Sequence, residues 1–163
     1  MTGHAAILLA PRESFLPLAR EQAMAYLCPE GGCGACRVCH LIQAGDHPDV
    51  LYLSPDGTSI KIGQVRGLLE ELAVKPYMGE RRLVVILSAD LMTEQAQNAL
   101  LKTIEEPAPG CGFLLLAESR EKLLPTIRSR AQCFTLRPPE EEEAAAWLAA
   151  HKNVEPDRAR DLA

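Results

Sequence analysis

The sequence predicts an α/β fold, a mostly parallel sheet with helices on both faces and a small cysteine knuckle inserted after the first helix. Three observations predict it. Continuous apolar runs at residues 5–10, 83–87 and 113–117 have the length and composition of strands covered on both sides. Between the runs lie segments whose apolar residues recur at helical spacing, so strand and helix alternate, as parallel pairing requires. Four cysteines, Cys28, Cys33, Cys36 and Cys39, crowd into twelve positions directly after the first helical segment. At 163 residues and 47% hydrophobic, the chain has the material for one substantial core and part of a second domain.

The elements follow in order. Residues 5–10 form the first buried strand, and Phe15, Leu18, Ala19, Ala23, Tyr26 and Leu27 recur at helical spacing behind it. Ser14 is the expected N-cap, and Pro17 fits the first turn because its missing donor has no use there. A short helix over residues 36–43 leaves the knuckle, and Asp46-His47-Pro48-Asp49 makes a turn into a strand at Val50–Leu53. A helix over Ile62–Leu72 leads to the central strand at 83–87, preceded by Arg81 and Arg82. Thr93 caps a helix running through Ile104, with Glu94 favourable to the dipole at its start and Pro107 beyond its end. Residues 113–117 are a core strand and 134–136 a last short one. From Pro138-Pro139 the composition shifts to Glu140 to Glu143 and an alanine-rich helical stretch with Trp147, the expected linker and opening of a helical domain.

The spacing C-x4-C-x2-C-x2-C suits tetrahedral zinc, since Zn²⁺ takes four soft thiolates and two-residue gaps let a turning backbone aim neighbours at one centre. Gly31, Gly32 and Gly34 sit where such a knuckle needs left-handed backbone. Two disulfides are the alternative; without a signal peptide the chain is expected in the reducing cytoplasm, where disulfides rarely persist. His40 adjoins the last cysteine and is read as solvent-facing or helix-packed, because four thiolates already satisfy the metal. A closed four-thiolate site has no open position for substrate, so this zinc holds a fold and catalyses nothing. Cys111 and Cys133 lie far from the cluster and read as small buried residues.

Charge and hydropathy exclude other classes. No apolar run approaches the ~20 residues of a membrane span. A net charge of -5 opposes autonomous nucleic-acid binding, which needs a basic face to displace counterions. A stand-alone zinc-knuckle nucleic-acid binder is further opposed by the lack of interleaved aromatics.

In a nucleotide-binding α/β protein the first strand-turn-helix carries G-x-x-x-x-G-K-[ST], whose amides and lysine hold phosphates. Here Ala10 to Pro17 occupy those positions: neither glycine is present, the lysine is Leu16, the magnesium-binding hydroxyl is Pro17, and Glu13 would repel phosphate. Further on, Ala89-Asp90-Leu91-Met92-Thr93 leads into Gln97-Asn98-Ala99-Leu100-Leu101-Lys102-Thr103-Ile104-Glu105-Glu106-Pro107, and later comes Leu124-Pro125-Thr126-Ile127-Arg128-Ser129-Arg130. With the cysteine knuckle, His47-Pro48-Asp49 and Pro76-Tyr77-Met78-Gly79, these stretches resemble the bacterial DNA polymerase III clamp loader, an AAA+ assembly, over residues 4–147. The likeness is greatest to subunits of the delta-prime type and next to the gamma/tau type.

The resemblance implies an AAA+ (RecA-like) base domain over residues 1–137 and the start of a lid domain over 138–163. It also implies that family members carry a helix before His4 and continue into an oligomerisation domain, so a fragment is expected. In active loaders the strand ending at Leu87 finishes in an Asp-Glu pair that organises Mg²⁺ and the attacking water; here Leu87 and Ser88 stand there, and the sensor position near Ala117-Glu118-Ser119 is altered. Loss of both the phosphate loop and this acidic pair implies the delta-prime role, a subunit that does not hydrolyse ATP, over a gamma/tau-type motor. Ser129-Arg130 matches the family's Ser-Arg-Cys motif, with Ala131 for the cysteine, and implies that Arg130 is an arginine finger for a neighbouring subunit; Arg128 is close enough to be a substitute or a helper. The implied partners are gamma/tau and delta-type subunits and, through a DNA polymerase holoenzyme, the sliding clamp and primed DNA. The implied cofactor is zinc, with no nucleotide and no membrane.

Overall fold

The computed structural model of the chain describes residues 4–136. Five parallel strands form one sheet. They are β1 (Ala5–Leu9), β2 (Val50–Leu53), β3 (Arg82–Ile86), β4 (Cys111–Ala117) and β5 (Gln132–Thr135), in the order β2-β3-β4-β1-β5. The helices are α1 (Phe15–Leu27), α2 (Arg37–Ala44), α3 (Ile62–Leu72), α4 (Glu94–Glu105) and α5 (Pro125–Arg128). None among the described residues is long and apolar enough to cross a membrane.

The period-two alternation of each strand splits the core into two layers. Ile7, Val84, Ile86, Phe113 and Leu115 pack with Val65 and Leu68 of α3, Leu100 and Ile104 of α4, and Ile127 of α5. Ala6, Leu8, Val85, Leu114 and Leu116 face the other way, onto Phe15, Ala19 and Ala23 of α1 and Ile42 of α2. Strand β4 is buried along its full length because β1 and β3 pair with its two edges, Ala5 and Val84 both opposite Phe113. The doubly covered parallel sheet expected from the alternating pattern is therefore present.

Several boundaries differ from the pattern, each for a physical reason. Ser14 is not a side-chain cap: its backbone is helical, and a 3-10 turn over Arg12–Ser14 runs straight into α1. Helix α2 starts at Arg37 because Cys36 is its N-cap, the thiol accepting from Cys39 N at 3.5 Å. Strand β3 begins at Arg82, a buried cation that an apolar run cannot signal. Strand β4 begins two positions before its apolar run because Cys111 and Gly112 pair with Arg82 and Leu83. The last strand spans 132–135 rather than 134–136, fixed by pairing with β1. Helix α5 is too short for any periodicity to announce it. Thr93 does cap α4, its hydroxyl accepting from Ala96 N at 3.3 Å. Glu140 to Glu143, Trp147 and the expected boundary after residue 137 lie outside the described residues.

Candidate functional site

The cysteine cluster is set between α1 and α2. Helix α1 ends at Leu27 and hands over to Cys28; Gly31, Gly32 and Gly34 then take φ of 70°, 103° and 73°, the left-handed backbone that lets so short a loop double back. All four thiol sulfurs lie within 4.8 Å of one another, Cys28 Sγ standing 3.7 Å from Cys36 and 3.8 Å from Cys33. Tetrahedral zinc with Zn–S near 2.3 Å places its sulfurs about 3.8 Å apart, so the residues fit that ion. Cys28 and Cys39 are buried, Cys36 half-buried and Cys33 exposed. Backbone N–H groups of Cys33 and Gly32 hold the Cys28 thiol down to about 6, whereas burial pushes Cys39 up to about 12. One ligand is thus ready as thiolate, and another would lose its proton to solvent only as a cation binds the sulfur. His40 is exposed and outside the cluster. Cys111 is buried and Cys133 half-buried, both among core side chains.

Two stretches that the sequence offered only as marks of resemblance meet beside the knuckle. The Asp49 carboxylate accepts from the backbone N–H of Tyr77 and of Met78, each at 2.7 Å, and pairs with Arg82 Nη2 at 3.3 Å. Arg82 also donates to the carbonyls of Glu71, Val74 and Lys75, and its guanidinium lies 5.6 Å from the Tyr77 ring centre. A buried ion pair thereby fastens the loop after α3. Arg82 heading an apolar run was its only signal in the sequence.

His47 completes this corner, with Nδ1 accepting from Asp49 N at 3.1 Å in the geometry of an Asx-turn. Burial lowers its pKa, only partly offset by the Asp49 carboxylate. The folded state therefore binds the proton less readily than the unfolded chain, whose histidine titrates near 6.5. Stability is full above that pH and falls as pH drops through about 6.5 toward the lower folded value. Asparagine can make the same turn without titrating, so His47→Asn should flatten the fall in melting temperature between pH 7.5 and 5.5. An unchanged slope would place the titration on another group.

The loop after β1 has several of its amides committed or missing. Ala10 N donates to Ala117 O at 3.1 Å, Ser14 N donates to Pro11 O at 3.0 Å, and Pro11 has no amide, so these three positions offer no N–H to a phosphate. Beyond it an open depression is lined by Ala10, Pro11, Glu118, Arg120, Glu121 and Thr135. Its charge is mixed, with Glu118 and Glu121 beside Arg120, and no lysine lines it. Arg12 is paired with Glu118 at 3.5 Å, and the Glu121 carboxyl is held below its usual range by its own backbone N–H and the Ser119 hydroxyl. At the end of β3, Leu87 is half-buried and Ser88 sits at φ 59°, while buried Asp90 accepts from Glu118 N and faces Lys122 Nζ at 3.9 Å.

Arg130 stands between α5 and β5, its side chain 39% exposed. It is more than a solvated charge. Nε pairs with Glu105 Oε1 at 2.5 Å, and Nη1 donates to Thr126 O at 2.9 Å and Ser129 Oγ at 3.2 Å. Glu105 is the last residue of α4, and nothing in its sequence neighbourhood marks it as a partner of Arg130. Arg128 is half-buried with no hydrogen bond at Nε among the described residues.

A family model described as DNA polymerase III, delta subunit, matches residues 2–140. The DNA polymerase III subunit delta′ of Haemophilus influenzae is 40% identical over 159 residues, covering 94% of this chain and 49% of the relative. That of Escherichia coli K12 is 37% identical over 167 residues, covering 95% and 49%. The chain spans about half the length of the curated relatives it matches. Among solved structures, a gamma subunit-related protein of Thermotoga maritima superposes with a TM-score of 0.65 at 24% identity, covering 98% of this chain and 53% of that one. The RuvB Holliday junction branch migration motor of the same organism gives 0.56 at 17%, covering 97% and 47%. At those identities the two structures establish the fold alone, a parallel sheet with helices on both faces. The family model and the relatives at 37% and 40% identity across nearly its whole length establish that this chain belongs to the DNA polymerase III delta-prime subunit family.

Proposed function

We propose that this chain is part of a clamp-loader subunit that hydrolyses no ATP itself and supplies Arg130 in trans to a nucleotide held by a neighbouring subunit. The observation that carries the reading is the loop after β1, whose amides at Ala10 and Ser14 are committed to carbonyls and whose Pro11 has none to offer. A phosphate site needs free amides, a lysine and a metal-binding hydroxyl, and Leu16 and Pro17 supply neither side chain. An arginine finger stabilises charge developing on the transferring phosphoryl group without needing a nucleotide on its own subunit. Cys28, Cys33, Cys36 and Cys39 hold a structural zinc. The partners are gamma/tau and delta-type subunits, with the sliding clamp and primed DNA reached through the assembly, in the cytoplasm.

Full-length protein titrated with Mg-ATP by calorimetry should give no saturable heat; low-micromolar binding would restore the motor reading. In a reconstituted loader, Arg130→Ala should slow clamp-stimulated ATP turnover at least about tenfold, with Arg128→Ala slowing it less. The melting temperature should move little, because half-exposed ion pairs contribute only about 0–1 kcal/mol. Wild-type turnover by an intact Arg130→Ala complex would return this residue to being a surface charge.

A further inference from the structure

We infer that Glu105 is a positioning residue for Arg130, fixing the guanidinium so that one edge of it faces outward for a phosphoryl group on another subunit. The inference rests on the trans-acting reading of Arg130. A guanidinium has five N–H donors in a rigid fork, and its direction depends on which of them are engaged. Here Nε is paired with Glu105 and Nη1 with Thr126 O and Ser129 Oγ, whereas Nη2 has no partner among the described residues. Two edges are tied to α4 and α5, and the third is left for a ligand.

Glu105 is also in an unfavourable place on its helix. It is the final residue of α4, where the dipole favours cations, and Glu106 follows it. Lys102 is the one basic residue in that last turn. The carboxylate is 41% exposed, so its pair with Arg130 adds little to folding. A residue that breaks a local helix rule with small return in stability is accounted for by what it does to Arg130, and an anchored side chain gives up less rotamer freedom when it meets a phosphate.

The test uses full-length subunit in a reconstituted loader with ATP, clamp and primed DNA. Glu105→Ala should lower kcat for clamp-stimulated ATP turnover about three- to tenfold with KM for ATP nearly unchanged, since the lost interaction acts on the transition state. Glu105→Gln, which keeps an acceptor for Nε, should restore turnover to within about twofold of wild type. In the Arg130→Ala background, Glu105→Ala should add no further loss, because it acts through that arginine. Slow Arg130→Ala with wild-type Glu105→Ala, or full additivity of the two, would overturn the positioning role while leaving the finger standing. Wild-type turnover by Arg130→Ala would overturn the finger itself and the positioning role with it.

Discussion

Asp49→Ala should destabilise the domain by about 3–5 kcal/mol, the usual cost of removing one partner from a buried ion pair. The carboxylate and the Arg82 guanidinium are 1% and 3% exposed, so water cannot replace the lost partner. Three other groups make the loss worse. The N–H groups of Tyr77 and Met78 lose their acceptor, and Arg82 Nε already lacks a hydrogen bond among the described residues. Asp49→Asn keeps an acceptor but removes the charge and should cost less. Arg82→Met should also cost less than Asp49→Ala, because Asp49 would retain both backbone donors while the cation disappears. Urea unfolding of the three variants orders them directly. A loss below about 1 kcal/mol for Asp49→Ala would mean that the carbonyls of Glu71, Val74 and Lys75 satisfy the Arg82 cation without the carboxylate. The prediction ties sequence to loop geometry: His47-Pro48-Asp49 and Pro76-Tyr77-Met78-Gly79 resemble the family as separate stretches, and in the fold one carboxylate joins them.

The sheet was legible because apolar runs and helical spacing are local patterns. Leu83 to Ile86 and Phe113 to Ala117 are buried strands where the runs place them, and Thr93 caps α4 as its residue type suggests. The cysteine spacing was legible for the same reason, since a knuckle is closed within twelve residues. Contacts between distant segments were not. Asp49 with Arg82 and Glu105 with Arg130 are separated by a strand or more of chain, and nothing in either residue's neighbourhood announces its partner. Ser14 misled for a different reason: a serine before a helix is a good cap only with extended backbone, and the 3-10 turn over Arg12–Ser14 gives it helical angles instead.

Cys36→Ser should weaken zinc binding at least about hundredfold, given that even outer-shell partners of a metal ligand are worth 10–100-fold. The choice of residue separates two roles of one side chain. Cys36 is both a member of the sulfur cluster and the N-cap of α2, and serine is a good N-cap, so the substitution spares the cap and removes the ligand. By mass action a hundredfold loss removes about 2.7 kcal/mol of stability where zinc is in excess of both dissociation constants. The damage should be confined. Ile42 of α2 is buried in the layer under α1, and the sheet's other layer shares no residue with the knuckle, so far-UV dichroism should keep its α/β form. Proteolysis should open residues 28–39 first, in the variant and in chelated wild type alike. Elemental analysis should find one zinc per chain in wild type and substantially less in Cys36→Ser, with melting lowered by chelator more in wild type than in the variant. Wild type without zinc, or with equal melting temperatures in zinc and in chelator, would leave the four cysteines as packing residues and remove the metal from the account of this fold.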